Sequence, residues 1–362
     1  MTAPVRVEVF GRTDVGMARD HNEDSFLVAD LSRRVASLQP EVREHEVGQR
    51  GSLFVVADGM GGAAAGEIAS DMATETIYNH MTDSWGNDPE LTEQRFAYRL
   101  KEAVEIANQN IHEFAKNHPE HRGMGTTTTA AGVFAGALYL TQIGDSRGYL
   151  IRNGTITQIT KDQSLMQRLV DAGELTEEEA AVSERRNIIL QALGPDPNVK
   201  VDLTRQELRK GDILLMCSDG LSGLVKSDDM LRIVGESPDL VATCKALIDL
   251  ANERGGEDNL TAVVALVEGE GLPLPDVGEQ ATHTLEVLQE YKGPMSPNTA
   301  RPVQPAKSPT PAAPPTPAAP PTPASVASST ESAPSGPART WLIAALVVGV
   351  GIAGLLAWRY LT

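Results

Sequence analysis

Four acidic motifs hold the residues of this chain that are best suited to chemistry: Arg19-Asp20-His21-Asn22-Glu23-Asp24, Ala57-Asp58-Gly59-Met60-Gly61-Gly62, Ser218-Asp219-Gly220 and Gly256-Glu257-Asp258-Asn259. Three of their carboxylates stand where an apolar run meets a glycine turn. Residues 53–57 precede Asp58, residues 213–217 precede Asp219, and residues 260–267 follow Asp258. A strand end beside a Gly-rich turn is a rigid perch, and its loop can carry a functional side chain. Several perches bearing only carboxylates suit hard divalent cations, which prefer oxygen ligands. One Asp-Gly pair is adequately explained as a turn. Four acidic motifs together are not.

Positioning these residues falls to a mixture of strands and helices. Residues 5–10 and 25–28 read as strands around the first motif, and the polar stretch 31–50 reads as a long loop before a buried strand at 53–57. Helical spacing of apolar residues follows at 67–81 and 93–116, then strands at 127–134, 137–143 and 148–152. Asn153-Gly154 is a two-residue hairpin signal leading into a strand at 155–159. Short helical pieces at 162–172 and 176–182 and a longer helix at 240–252 complete the pattern. Runs of strands with helices in pairs, rather than strict alternation, point to an α+β fold with antiparallel sheets.

In their order, these signposts resemble the metal-dependent protein phosphatase family (protein phosphatase 2C-like), in its bacterial serine/threonine branch. The matching residues are Thr13-Asp14-Val15-Gly16, Arg19 to Asp24, Asp58-Gly59-Met60-Gly61-Gly62, Gly125-Thr126-Thr127, Gly144-Asp145-Ser146-Arg147, Ser218-Asp219-Gly220 and Asp258-Asn259. They span roughly residues 5–268. The resemblance implies a four-layer α-β-β-α sandwich of two mainly antiparallel sheets, with the carboxylates gathered at one edge. It implies hydrolysis of phosphoserine and phosphothreonine by a water or hydroxide held between two Mn²⁺ or Mg²⁺ ions, opposing bacterial serine/threonine kinases. By the same resemblance, Asp58 bridges both metals, the Gly59 carbonyl binds one, and Asp219 and Asp258 complete the other. Glu23 and Asp24 hold coordinated waters, Asn259 orients its neighbour, and Arg19 takes the substrate phosphate in a bidentate fork. Asp145 resembles the ligand of a third metal, with a turn residue bonded to Arg147 as the equal alternative. His21 is read as structural.

Two departures from the family pattern stand out. Met60 occupies the place where vertebrate relatives carry a histidine general acid, as it does in bacterial relatives. After Asp162, Ser183-Glu184-Arg185 precede Arg186-Asn187 where bacterial relatives often place His-Pro, so flap contacts do not carry over.

The chain beyond about residue 268 changes character. Residues 269–338 are rich in Pro, Ala, Ser and Thr, with Thr310, Thr316 and Thr322 at six-residue spacing. Such a segment buries too little surface to offset its ordering entropy and is expected to be an extended linker. Eighteen residues without a charge run from Trp341 to Trp358, bracketed by Arg339 and Arg359. As a helix they would be about 27 Å long, close to the ~30 Å hydrocarbon core. The expected organisation is a catalytic domain at 1–268, a linker at 269–338 and a C-terminal transmembrane anchor at 339–362. With no apolar run near the N-terminus, no signal peptide is expected, and the catalytic domain is placed in the cytoplasm. Ala345, Gly349 and Ala353 form a row of small residues through which two such helices could pair weakly.

The formal charge of −18 argues against nucleic acid as a partner. It also repels phosphorylated substrates unless clustered cations reverse the field locally. Cys217 and Cys244 are expected in a core strand and a helix, as packing residues rather than a disulfide. Gly223 and Leu250 stand where a cysteine-dependent phosphatase would carry its arginine, and no Asp-x-Asp or Gly-Lys pair occurs. The remaining alternatives are a phosphatase dedicated to one transcription regulator, or an inactive membrane-tethered scaffold.

Overall fold

Apolar alternation along the chain builds two antiparallel sheets in the computed structural model, which describes residues 4–61 and 65–281. The first sheet runs β10 (Thr155–Gln158), β9 (Arg147–Arg152), β12 (Asp212–Cys217), β13 (Leu260–Glu268), β1 (Arg6–Asp14) and β4 (Arg43–Glu46). The second runs β11 (Asp202–Glu207), β8 (Ala137–Ile143), β7 (Thr128–Phe134), β5 (Ser52–Met60), β2 (Asp24–Asp30) and β3 (Val35–Ser37), with β6 (Gly125–Thr126) also pairing β5. Helices α1 (Ala65–His80) and α2 (Glu93–Asn117) come from the longest helical patterns. The short α3 (Leu165–Asp171) and α4 (Glu177–Ala181) form an insertion. Three more follow: α5 (Asp219–Leu224), α6 (Ser227–Glu236) and α7 (Leu240–Glu253).

Side-chain alternation along single strands shows why the layers stack. In β5, Leu53, Val55 and Ala57 face a cluster with Ala69, Met72 and Ile77 of α1 and Leu100 of α2. Phe54 and Val56 face the opposite way, into a second cluster with Val263 and Ala265 of β13. In β13, Leu260, Ala262 and Val264 turn outward onto Leu247, Ile248 and Ala251 of α7. Each central strand is therefore buried on both faces, which is why it reads as an unbroken apolar run. The result is an α+β sandwich, two sheets packed together with helices on both outer faces.

Three expectations need correction. Residues 31–50 are not one loop: they hold β3 and β4, and β4 pairs with β1 from Arg6↔Glu46 to Val9↔Arg43. Only His45 of β4 is buried, so this short charged edge strand carries no apolar alternation to read. β11, α5 and α6 also lie in stretches assigned no element. Finally, the folded chain does not stop at 268. Leu272 and Ala281 are buried in the inter-sheet cluster, and Glu279 pairs with Arg152 at 3.0 Å and with Arg209. Polar and Pro-rich sequence conceals this strap because its few anchors are spaced too widely to form a pattern. The hairpin at Asn153-Gly154 is present, both residues having positive φ (50° and 70°) as a two-residue turn requires. The rest of the expected linker and the anchor at 339–362 lie outside the described residues. Among the described residues, no helix is long and apolar enough to cross a membrane.

Candidate active site

Strand ends from both sheets bring the acidic motifs together. Asp24 opens β2 and sits directly opposite Asp58, near the end of β5, in the antiparallel register. Like charges in that position destabilise a sheet, so the pairing needs another cause. The backbone around Asp58 is fixed tightly. Its carbonyl accepts from Thr127 N at 2.8 Å and from Thr126 Oγ1 at 2.9 Å, and Gly59 N donates to the Glu23 carbonyl at 3.0 Å. A Cβ at Gly59 would meet the Gly66 carbonyl at 2.2 Å and that of Glu23 at 2.5 Å, so only glycine fits where α1 crosses β5. Asp219 begins α5 just after β12 ends, and Asp258 lies two residues before β13. β12 and β13 are neighbours, and β1 ends beside them, with Asp14 paired to Leu260.

Burial and mutual repulsion dominate the electrostatics. Burial pushes the Asp58 carboxyl well above the ordinary range, and the charges of Asp24, Asp219 and Asp145 add to it. Burial likewise raises the Asp219 carboxyl, with the charge of Asp258 adding to it. Burial also raises Asp24 to about 7, against hydrogen bonds from Thr261 and Ser218 and with the push of Asp219 and Asp258. Asp145 rises to about 8, chiefly by burial and then through Asp219 and Asp162. Among the described residues, no three His, Cys, Asp or Glu side chains converge closely enough to hold an ion as they stand. Asp24 Oδ1 and Asp145 Oδ1 are nonetheless buried without a hydrogen-bond partner. Orphaned carboxylate oxygens within an all-oxygen acidic set are what a hard divalent cation would satisfy. The residues fit such an ion.

The other expected residues fall around this centre. Arg19 Nη2 pairs with Asp258 Oδ2 at 2.8 Å, its side chain half exposed at the rim. Glu23 lies beneath the start of α1, where a Cβ on Gly66 would stand 2.8 Å from its Oε1. Asn259 does more than orient its neighbour. Its Oδ1 accepts from Glu23 N at 2.8 Å, and its Nδ2 donates to the carbonyls of Val15 and His21, both at 2.9 Å. It thus clamps the whole first motif. Asp145 is not bonded to Arg147, whose guanidinium is committed to Asp162 at 2.6 Å. The turn-residue alternative for Asp145 thus lacks the bond to Arg147.

Several supporting residues escape a sequence reading. Thr261 Oγ1 donates to Asp24 Oδ2 at 2.6 Å from inside β13. Thr127 Oγ1 lies 2.7 Å from Ser146 Oγ, tying the Asp58 segment to the turn that carries Asp145. Within strands, threonine is a common β-former, so its polar role leaves little signal; the Gly-Thr-Thr and Gly-Asp-Ser motifs were the only hint. A cavity of about 330 Å³ lined by Arg6, Glu8, Glu44, Lys210 and Glu268 lies at the opposite ends of β1 and β13. It contains none of the motif carboxylates.

The chain is similar to known proteins in both sequence and fold. The family described as "Protein phosphatase 2C" matches residues 39–265. The serine/threonine phosphatase stp of Listeria welshimeri is 36% identical over 258 residues, 71% of this chain and 94% of that protein. The serine/threonine protein phosphatase PstP of Mycobacterium tuberculosis is 40% identical over 255 residues, 70% of this chain and 44% of that protein. A crystal structure of a PstP catalytic domain in complex with two manganese ions superposes with a TM-score of 0.59 at 37% identity, covering 73% of this chain and 99% of that one.

Proposed function

The chain belongs to the protein phosphatase 2C family and is a metal-dependent serine/threonine phosphatase; from that premise we propose how its own residues divide the work. The observation that carries the assignment is the group of raised carboxylates contributed by both sheets, with Asp24 and Asp58 paired directly across a ladder. Asp58, central to that group, would be the carboxylate shared by two Mn²⁺ or Mg²⁺ ions, and the Gly59 carbonyl, Asp219 and Asp258 would hold them with it. Asp145, whose Oδ1 is buried without a hydrogen-bond partner, would take a third. When bound, such ions lower the pKa of a coordinated water from about 15.7 towards about 7 and neutralise phosphoryl charge.

Arg19 acts on the substrate side. Its present partner, Asp258, is one of the carboxylates that would turn to a cation, and a rim-exposed pair is weak enough to exchange. Its released fork can then hold two phosphate oxygens. Asn259 keeps the loop bearing Arg19 and Glu23 at a fixed distance from Asp258. Phosphorylated proteins are the substrates, and serine/threonine kinases of the same cell are the proposed opponents. The uncharged run from Trp341 to Trp358 supports placement at a membrane with the catalytic unit in the cytoplasm.

Turnover of an aryl phosphate and a phosphothreonine peptide, with chelator and after adding Mn²⁺, tests the reading. Activity should be absent in chelator and restored by metal. Full turnover by metal-free protein would sink it. Arg19→Ala should raise KM while leaving Mn²⁺ affinity unchanged; loss of metal with an unchanged KM would make Arg19 structural.

A further inference from the structure

The turn that carries Asp145 is held from outside by the side chain of Gln163, at the root of the insertion that follows Asp162. The main chain alone closes that root. Gln163 N donates to the Gly144 carbonyl at 2.8 Å, the Gln163 carbonyl accepts from Leu190 N at 2.7 Å, and Leu165 N donates to the Ile188 carbonyl at 2.8 Å. The ion pair of Asp162 with Arg147 adds a further tie. The Gln163 side chain is not needed for this closure and reaches back across the turn. Its Oε1 accepts from Gly144 N at 3.0 Å. Its Nε2 donates to Asp202 Oδ2 of β11 at 2.8 Å and to the Gln142 carbonyl at 3.3 Å.

Gly144 is therefore gripped at both its N–H and its carbonyl. On the far side of Asp145, the Ser146 carbonyl accepts from Gln142 Nε2 at 2.7 Å, and the same amide donates to the Gly144 carbonyl at 3.0 Å. Asp145 projects from between these two fixed residues. Its Oδ1 is buried with no hydrogen-bond partner, and the charges of Asp219 and Asp162 oppose its own. A carboxylate under repulsion, with one oxygen unbonded, is placed by the backbone beneath it. Hydrogen bonds one step removed from a ligand orient it in this way.

We propose that Gln163, itself held by Asp202, is a positioning residue that fixes the Gly144 peptide so that Asp145 keeps the place a third cation requires. The proposal rests on the assignment of Asp145 to that cation. Gln163 and Asp202 act through the turn and touch neither ion nor substrate.

The test is calorimetric titration of the full chain with Mn²⁺, which counts ions without turnover. Wild type should take up two ions tightly and a third more weakly, and Asp145→Asn should lose the third alone. Gln163→Leu keeps the side-chain size and removes all three side-chain hydrogen bonds. It should weaken the third ion by about tenfold or more, the scale of an outer-sphere partner, and leave the two tight ions unchanged. Gln163→Glu keeps an acceptor for Gly144 N but sets a second carboxylate against Asp202, so it should weaken the third ion as well. Adding Asp202→Asn supplies a donor to that carboxylate, and Q163E/D202N should recover most of the affinity. A third ion bound as tightly in Gln163→Leu as in wild type overturns the positioning role alone. Equal weakening of all three ions also overturns it, since Gln163 would then be structural. Should Gln163→Leu fail to fold, Q163E against Q163E/D202N decides: recovery supports the latch, and the same third-ion affinity in both overturns it. If wild type and Asp145→Asn bind the same number of ions, the third-ion assignment fails and the positioning role with it.

Discussion

At the scale of single residues, the metal-free site stores electrostatic conflict that a cation relieves, and this has measurable consequences. Asp24 and Asp145, raised to about 7 and about 8, hold protons that the unfolded chain, titrating near 3.9, releases. Wherever the folded state binds more protons, stability falls as pH rises. Chelated protein should therefore melt at a higher temperature at pH 6 than at pH 8.5, whereas Mn²⁺-loaded protein should lack that slope. A flat melting profile in chelator would show that the carboxylates titrate normally. By the same logic Asp58→Asn puts a permanently neutral group where burial and neighbouring charges push a carboxyl well above its ordinary range. In chelator it should stabilise the fold by about 0.5–2 kcal/mol while abolishing the stabilisation that Mn²⁺ gives wild type. Its turnover should drop by more than the roughly 10–100-fold typical of outer-sphere partners. If Asp58→Asn keeps a normal Mn²⁺ response in thermal melts, the bridging role is wrong. These carboxylates were legible as a set, because one Asp-Gly pair is adequately explained as a turn and four acidic motifs beside apolar runs are not. Thr261 was not, since a threonine inside a strand looks the same whether or not it bonds Asp24.

At the scale of elements, the strands that hold the site announced themselves and the pieces that trim it did not. β5, β7, β8 and β13 are buried on both faces, so apolar residues follow one another along much of their length. β3 and β4 are short edge strands of three and four residues, and their pairing with β2 and β1 comes from tertiary context rather than pattern. The loop between β1 and β2 is a third case. It has no regular structure, yet Asn259 fixes it with three hydrogen bonds from across the sheet edge. Asn259→Ala should cost roughly 1–3 kcal/mol for polar groups left unpaired. Because the loop carries Arg19 and Glu23, KM for phosphopeptide should rise more than kcat falls. Asn259→Asp keeps the acceptor for Glu23 N but loses both donors, so it should rescue only part of the effect. Unchanged melting and kinetics in the alanine variant would mean that the loop holds itself. A separate element-scale check concerns the entry to α2. Asp88, fully buried at its side chain, pairs with Arg95 at 2.6 Å and Arg99 at 3.2 Å. Asp88→Ala should destabilise by about 3–5 kcal/mol, since two arginines lose a buried counter-charge; a loss under about 1 kcal/mol by denaturant titration would show that water replaces it.

At the scale of the whole molecule, the sandwich is closed by residues far apart in sequence. β1 pairs with β13 from Arg6↔Glu268 to Asp14↔Leu260, so the first and last strands lie side by side in the middle of one sheet. Strand identity was readable from composition, but this pairing was not, because nothing local encodes a partner some 250 residues away. The same limitation hid the strap at 269–281, whose effect depends on what it covers. Arg152 is 4% exposed and its partner Asp212 is 1% exposed; Glu279 supplies the second carboxylate to Arg152, and Leu272 fills the inter-sheet core beside it. A chain ending at Glu268 would open this ion pair to water and lose the buried Leu272 side chain, worth about 1.5–3 kcal/mol. With the ion pairs, the expected loss is roughly 3–5 kcal/mol, or on the order of 10 °C in Tm for a unit of this size. A chain ending at Ala281 should melt like a longer one. Both should turn over aryl phosphate alike at 25 °C, since the strap lies away from the Asp14 and Leu260 ends of β1 and β13, beside which the carboxylates gather. Equal melting temperatures for the two truncations would place the boundary at 268 after all; loss of turnover in the shorter chain while it remains folded would mean that the strap reaches the active site through the sheet.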